Sequence, residues 1–246
     1  GSSNSAFTPT GGIVVFDGAS NNNLKINSSS NFYNLTIDNS TGEVDVTADL
    51  NVAGDLIINS NSTLDIGNAN ANLNIGGDFS NSGTFISSGE TLTFNGTGDN
   101  TCSPIVNASM DIVINKSSDG SITFSGNCSF DEFTLSDGKA VIGNYNIDCD
   151  NNITTAFGTE LQIGTGILNC DNKFESYGEI DFTGNGRLKL SGNVTSLGTL
   201  DEAMGTVEYD GGNQNVIADN YNNLEIDQAG TKTLQGHTNV NGNFTI

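Results

Sequence analysis

The feature that most constrains this chain is a spacing. Apolar positions return about every 20 residues along three separate series, the mark of a stacked array. Ile142, Ile163 and Phe182 form one series, and Ile153, Phe174 and Val194 a second. Leu168 with Leu188, and Leu190 with Tyr209, mark the third. Short apolar–polar–apolar triplets recur along the chain, such as Leu64-Asp65-Ile66, Leu73-Asn74-Ile75, Ile122-Thr123-Phe124 and Leu188-Lys189-Leu190. Side chains alternate along a strand, so a triplet of this kind has one dry face and one wet face. Gly, Asn, Asp or Ser stands between the triplets, where the backbone must turn. No stretch sustains helical periodicity, so almost no helix is expected.

Strands this short, recurring three to a period, suit a stacked coil better than hairpins or a sandwich. The predicted fold is all-β, a right-handed parallel β-helix with three short strands per coil of about 20 residues. A left-handed form would hold a stricter six-residue pattern, and the crossover preference also favours the right-handed one. Residues 11–246 are read as one solenoid domain of about 12 coils. Residues 1–10 read as a polar leader, opening on Gly1-Ser2-Ser3, which has the look of an expression remnant.

A longer block is used three times. Its clearest copy is Val207-Glu208-Tyr209-Asp210-Gly211, then Tyr221-Asn222-Asn223-Leu224-Glu225-Ile226, then Asn239 to Ile246. The first copy is Val14 to Gly18, Phe32 to Ile37 and Asn51 to Ile58, and a looser one spans Leu92 to Leu135. The grammar of Phe32 to Ile37 and Asn239 to Ile246 resembles repeat regions of very large secreted bacterial surface proteins, many of which look like adhesin stalks. That resemblance implies an extracellular place and a scaffold or adhesive role. It implies no ligand.

Composition narrows the partners. The net charge is −22, from 29 acidic against 7 basic residues, which opposes binding to nucleic acid or an anionic membrane surface. Charged residues make up only 15% of the chain, so Asn, Ser, Thr and Gly supply most of its polarity. No apolar run approaches the roughly 20 residues of a membrane span, so no membrane insertion is expected.

Four cysteines are candidates for cross-links or for core. Cys128, Cys149 and Cys170 are spaced by one coil and share parity with inward apolar neighbours, so the three are expected to stack as a ladder. A disulfide and a row of buried thiols both remain open for them. Cys102 lies off that spacing. Asp148, Asp150 and Asp171 should face outward on neighbouring coils, where they are candidate calcium ligands or a solvated acidic face.

Catalysis is not expected. Sugar-cleaving β-helices need clustered carboxylates with a basic partner. Here the lone His237 lies in a turn, Arg187 is about two and a half coils away, and Lys189 shows no evident acid–base partner. Tyr33 and Tyr145 read as core, Tyr177 and Tyr221 as exposed. The expected function is an extracellular structural or adhesive rod, with a glycan or cell-surface partner; a carbohydrate-binding or carbohydrate-cleaving β-helix is the alternative. Neither end reads as a polar cap, so the solenoid is expected to continue beyond Ile246, or to associate end to end.

Overall fold

The computed structural model describes residues 7–24, 31–106, 109–117, 119–201 and 203–246. Gly1-Ser2-Ser3, and Lys25 and Ile26 of a further triplet, Leu24-Lys25-Ile26, lie outside them. The chain is a β-solenoid of about 11 coils, built of parallel strands stacked about 20 residues apart. The only helical turn among the described residues is a three-residue 3₁₀ turn, Gly67–Ala69. No helix is long and apolar enough to cross a membrane.

Three faces follow one another in each coil. The first face begins with Ile13–Phe16, Asn34–Ile37, Leu56–Ile58 and Phe79–Asn81, and runs on to Glu160–Ile163. The third face begins with Leu50–Val52, Leu73–Ile75 and Thr91–Phe94. Both faces meet in one 16-stranded sheet because Phe174–Phe182 and Val194–Asp201 bend round the corner between them without a break. These two strands are nine and eight residues long, so the expected uniform brevity fails there.

The second face is split. Asn22–Leu24 to Thr84–Ile86 form a 4-stranded sheet, and Cys128–Phe130 to Phe244–Thr245 a 7-stranded one. Between them the described residues keep only one bridge, Val106 to Ser129. Pro104 has no N–H to offer a ladder, which accounts for a break at this point.

Inside, like side chains stack in register. Leu35, Leu56, Phe79, Cys102 and Phe124 form one column, all buried. Leu73, Leu92, Ile112, Phe133, Ile153, Phe174 and Val194 form another. Each fully buried Leu, Ile or Phe contributes about 1.5–3 kcal/mol relative to exposure, so these columns hold the coils together. Ile163 pairs with Phe182 as the period predicts, but Ile142 does not stack directly on Ile163. The register steps from Val141–Gln162 to Gly143–Ile163, leaving Ile142 in a bulge, still buried.

Outside, short polar side chains repeat the work of the backbone. Asn34 Oδ1 accepts from the Asp55 N–H, Asp55 Oδ1 from the Asp78 N–H, and Asp78 Oδ1 from the Thr101 N–H. Each link crosses one coil, so a corner that has left the sheet ladder still has its donors satisfied. Phe7, expected in a loose leader, packs its ring 5.7 Å from Phe32 and accepts from the Asn31 N–H.

Candidate functional site

The most exposed aromatic pair lies at the corner between the third and first faces. Phe157 is 81% exposed and Tyr177 43%, with ring centroids 5.0 Å apart and planes inclined by 30°. Local sequence explains both. Thr155 and Ser176 turn inward on adjacent coils with their hydroxyls 2.7 Å apart, and alternation then puts Tyr177 outside. Phe157 sits in the turn that follows, where Gly158 takes a φ of +81°.

The rings border an open recess of about 370 Å³, lined also by Thr159, Glu160, Glu179 and Thr199. Glu160 and Glu179 are paired across neighbouring strands, and Lys139 on the preceding coil sits 2.8 Å from Glu160. The Tyr177 hydroxyl donates to Glu175, which also accepts from Lys173 at 2.9 Å and Thr195 at 3.0 Å. The Lys173 contact, then the one from Thr195, holds the Glu175 carboxyl below its usual range. The recess therefore offers two apolar ring faces beside fixed carboxylates, a chemistry suited to polar ligands with apolar patches.

The expected acidic cluster is formed. Carboxylate oxygens of Asp148, Asp150 and Asp171 lie within 4.8 Å of one another at the surface. Burial first, and then the charges of Asp148, Asp171 and Asp131, raises the pKa of Asp150. Asn169 ties the group together by donating to Asp148 at 2.6 Å and Asp171 at 2.8 Å. A second cluster, Glu43, Asp45 and Asp65, lies on the second-face strands Glu43–Val46 and Thr63–Asp65. Asp45 and Asp65 are in register, and Asn68 donates to both, at 2.9 and 2.8 Å. One asparagine amide thus bridges crowded carboxylates in each cluster. The ligand type in both suits a hard cation, and the amide supplies part of the same neutralisation.

Arg187 and Lys189 both have acidic partners, which for Lys189 differs from the sequence expectation. Arg187 pairs with Glu208 and, at 2.7 Å, with Glu225; Lys189 lies 3.1 Å from Asp210 and 3.7 Å from Glu208. The partners come from the next coils, because Arg187–Leu190 stacks in register on Thr206–Tyr209 and that strand on Asn223–Ile226. Glu208 is almost fully buried, so its charge is used up in these pairs. His237 is exposed in its turn.

All four cysteines are buried thiols. Cys149 and Cys170 are in register as expected and continue into Leu190 and Tyr209, so they occupy a column of apolar residues. Cys128 leaves the ladder: it faces Ile147, and Cys149 faces Phe130. The coil that starts at Cys128 is already complete at Ile147, short of Cys149. Cys102 stacks between Phe79 and Phe124. Burial holds the Cys128 and Cys170 thiols up at about 11 and that of Cys149 higher.

Two tyrosines reverse their expected places. Tyr221 is fully buried and Tyr33 is 40% exposed, while Tyr145 is partly exposed. Tyr33 precedes the strand Asn34–Ile37, and the bend after buried Phe32 cancels the parity that would have turned it inward. No protein-family model, curated protein or solved structure matches this chain.

Proposed function

We propose that this chain is a stiff segment of an extracellular structural or adhesive rod. The observation that carries the reading is the register: in-register apolar columns pass from coil to coil, one of them from Leu50 to Val194, with polar side-chain links at the corners. Such stacking resists extension because each coil is held by its neighbours through both backbone and side-chain ladders. A strongly acidic exterior keeps neighbouring rods apart in solution. The basic side chains Arg187 and Lys189 are spent on coil-to-coil pairs, which supports a structural role over glycan cleavage.

A second reading rests on the Phe157–Tyr177 recess. Two exposed rings beside Glu160 and Glu179 form a contact for a carbohydrate, ring C–H faces on the aromatics and hydroxyls on the carboxylates. A glycan-array and cell-binding screen of the wild type and the Phe157→Ala/Tyr177→Ala variant separates the readings. Binding lost in the variant assigns the recess to a glycan; binding kept in the variant places adhesion elsewhere on the rod. Release of shortened sugars from any polysaccharide would overturn the structural role.

A further inference from the structure

The lysine at position 116 is fully buried, among the largest side chains that are. Lysine is almost never fully buried unless it is paired with an opposite charge. Lys116 Nζ instead meets two neutral acceptors, the Asn100 side-chain carbonyl at 2.5 Å and the Gly76 carbonyl at 3.3 Å. No ion pair of Lys116 is present among the described residues. Two carboxylates stand near enough to act on its charge, Asp78 and Asp99. They are not equivalent. Asp99 accepts from the Ser121 N–H and hydroxyl and makes no hydrogen bond to Asn100 among the described residues. Asp78 Oδ1, which accepts from the Thr101 N–H, also lies 3.3 Å from the Asn100 amide Nδ2.

Amine, carboxamide and carboxylate are thus lined up at one corner. We infer that Lys116 and Asn100 join through an intramolecular isopeptide bond, with Asp78 carrying the proton. The neutral Lys116 amine attacks Cγ of Asn100, and Nζ gives up one proton as the new C–N bond forms. Asp78 takes that proton and passes it to Nδ2. The old Cγ–Nδ2 bond breaks, and Nδ2 leaves as ammonia. One amide is consumed and one is made, so no oxidant or other reagent is required. Burial lowers the Lys116 pKa, which raises the share of the nucleophilic free amine. Fixed approach of the two groups replaces a bimolecular encounter.

The place of the bond supports it. Asn100 opens the first-face strand Asn100–Cys102, and Lys116 follows the third-face strand Asp111–Asn115. The coil between them is the one whose second face keeps only the Val106–Ser129 bridge among the described residues. A covalent tie from Asn100 to Lys116 closes this coil where its ladder is weakest.

The experiment is intact-mass measurement and peptide mapping of the folded wild-type chain. We expect a mass lower than the sequence mass by one ammonia, and a branched peptide joining Asn100 to Lys116. The Lys116→Met and Asp78→Asn variants should show the full mass. A full mass in the wild type, with separate Asn100 and Lys116 peptides, overturns the proposal. So does a deficit that persists in Lys116→Met, which would trace the lost ammonia to cyclisation of another asparagine. The wild-type peptide map decides the matter even if a variant fails to fold.

Discussion

The hydroxyls of Tyr209 and Tyr221 lie 3.2 Å apart inside the solenoid and close a ring of hydrogen bonds through Ile217. The Ile217 N–H donates to Tyr209, and Tyr221 donates to the Ile217 carbonyl at 2.7 Å. Tyr209 must therefore donate to Tyr221, and every polar group of the set is satisfied. Tyr221→Phe removes the donor to the Ile217 carbonyl and the acceptor for the Tyr209 proton, while Tyr209 still accepts from the Ile217 N–H. It should cost about 1–3 kcal/mol in chemical unfolding.

The same pair sets an alkaline limit. Burial pushes the Tyr209 hydroxyl up to about 12 and Tyr221 higher still, against an ordinary value of 10. A phenol with a raised pKa in the fold holds its proton more tightly there than in the unfolded chain. Its contribution is complete below pH 10 and is lost as pH climbs through about 12. Absorbance titration should show these two of the five tyrosines ionising only as the fold is lost. Reversible ionisation of all five in the folded state would contradict the burial.

The thiols should be hidden. Cys102, Cys128, Cys149 and Cys170 ought to resist a polar thiol reagent in native buffer and become countable on unfolding. Rapid labelling of Cys149 without denaturant would mean that the Cys149–Cys170 column does not face the core.

Core and surface positions of like chemistry should separate sharply. Ile163→Asp puts an unpaired carboxylate against Phe182 and should cost on the order of 3 kcal/mol or more. Ile57→Asp, at a position 37% exposed, should change stability by under about 0.5 kcal/mol. Equal melting temperatures for the two variants would refute the assigned inner face.

The outer acidic cluster should respond to charge removal. Ionised Asp150 is disfavoured in the fold, so Asp150→Asn should raise the melting temperature at neutral pH. A carboxyl with a raised pKa binds its proton more tightly in the fold, so the wild type gains stability as pH falls through the window just above 3.8. The advantage of Asp150→Asn should shrink across that same window. With Asn169 bridging the group, calcium and EDTA should give the same wild-type melting temperature; a calcium-dependent rise would assign the cluster to a cation.

What the sequence determined by itself is the repeating unit. Alternation within a triplet decides which side chains face inward, and the regular return of the triplets decides that coils stack in parallel. That much foretold the pairs Ile163–Phe182, Ile153–Phe174 and Cys149–Cys170. The tertiary structure decided everything that depends on a corner. Ile122 pairs with Ala140 after a short coil, whereas Leu56 reaches Phe79 only after a longer one. A coil that gains or loses residues at a turn keeps its own alternation but shifts what it faces, which is why Cys128 meets Ile147. A bend also cancels parity, and so Tyr33 is outside while Tyr221 is inside. Lys116, Asn100 and Asp78 belong to different strands and turns, and no local pattern links them. They meet because stacking brings the end of one coil back beneath its own beginning.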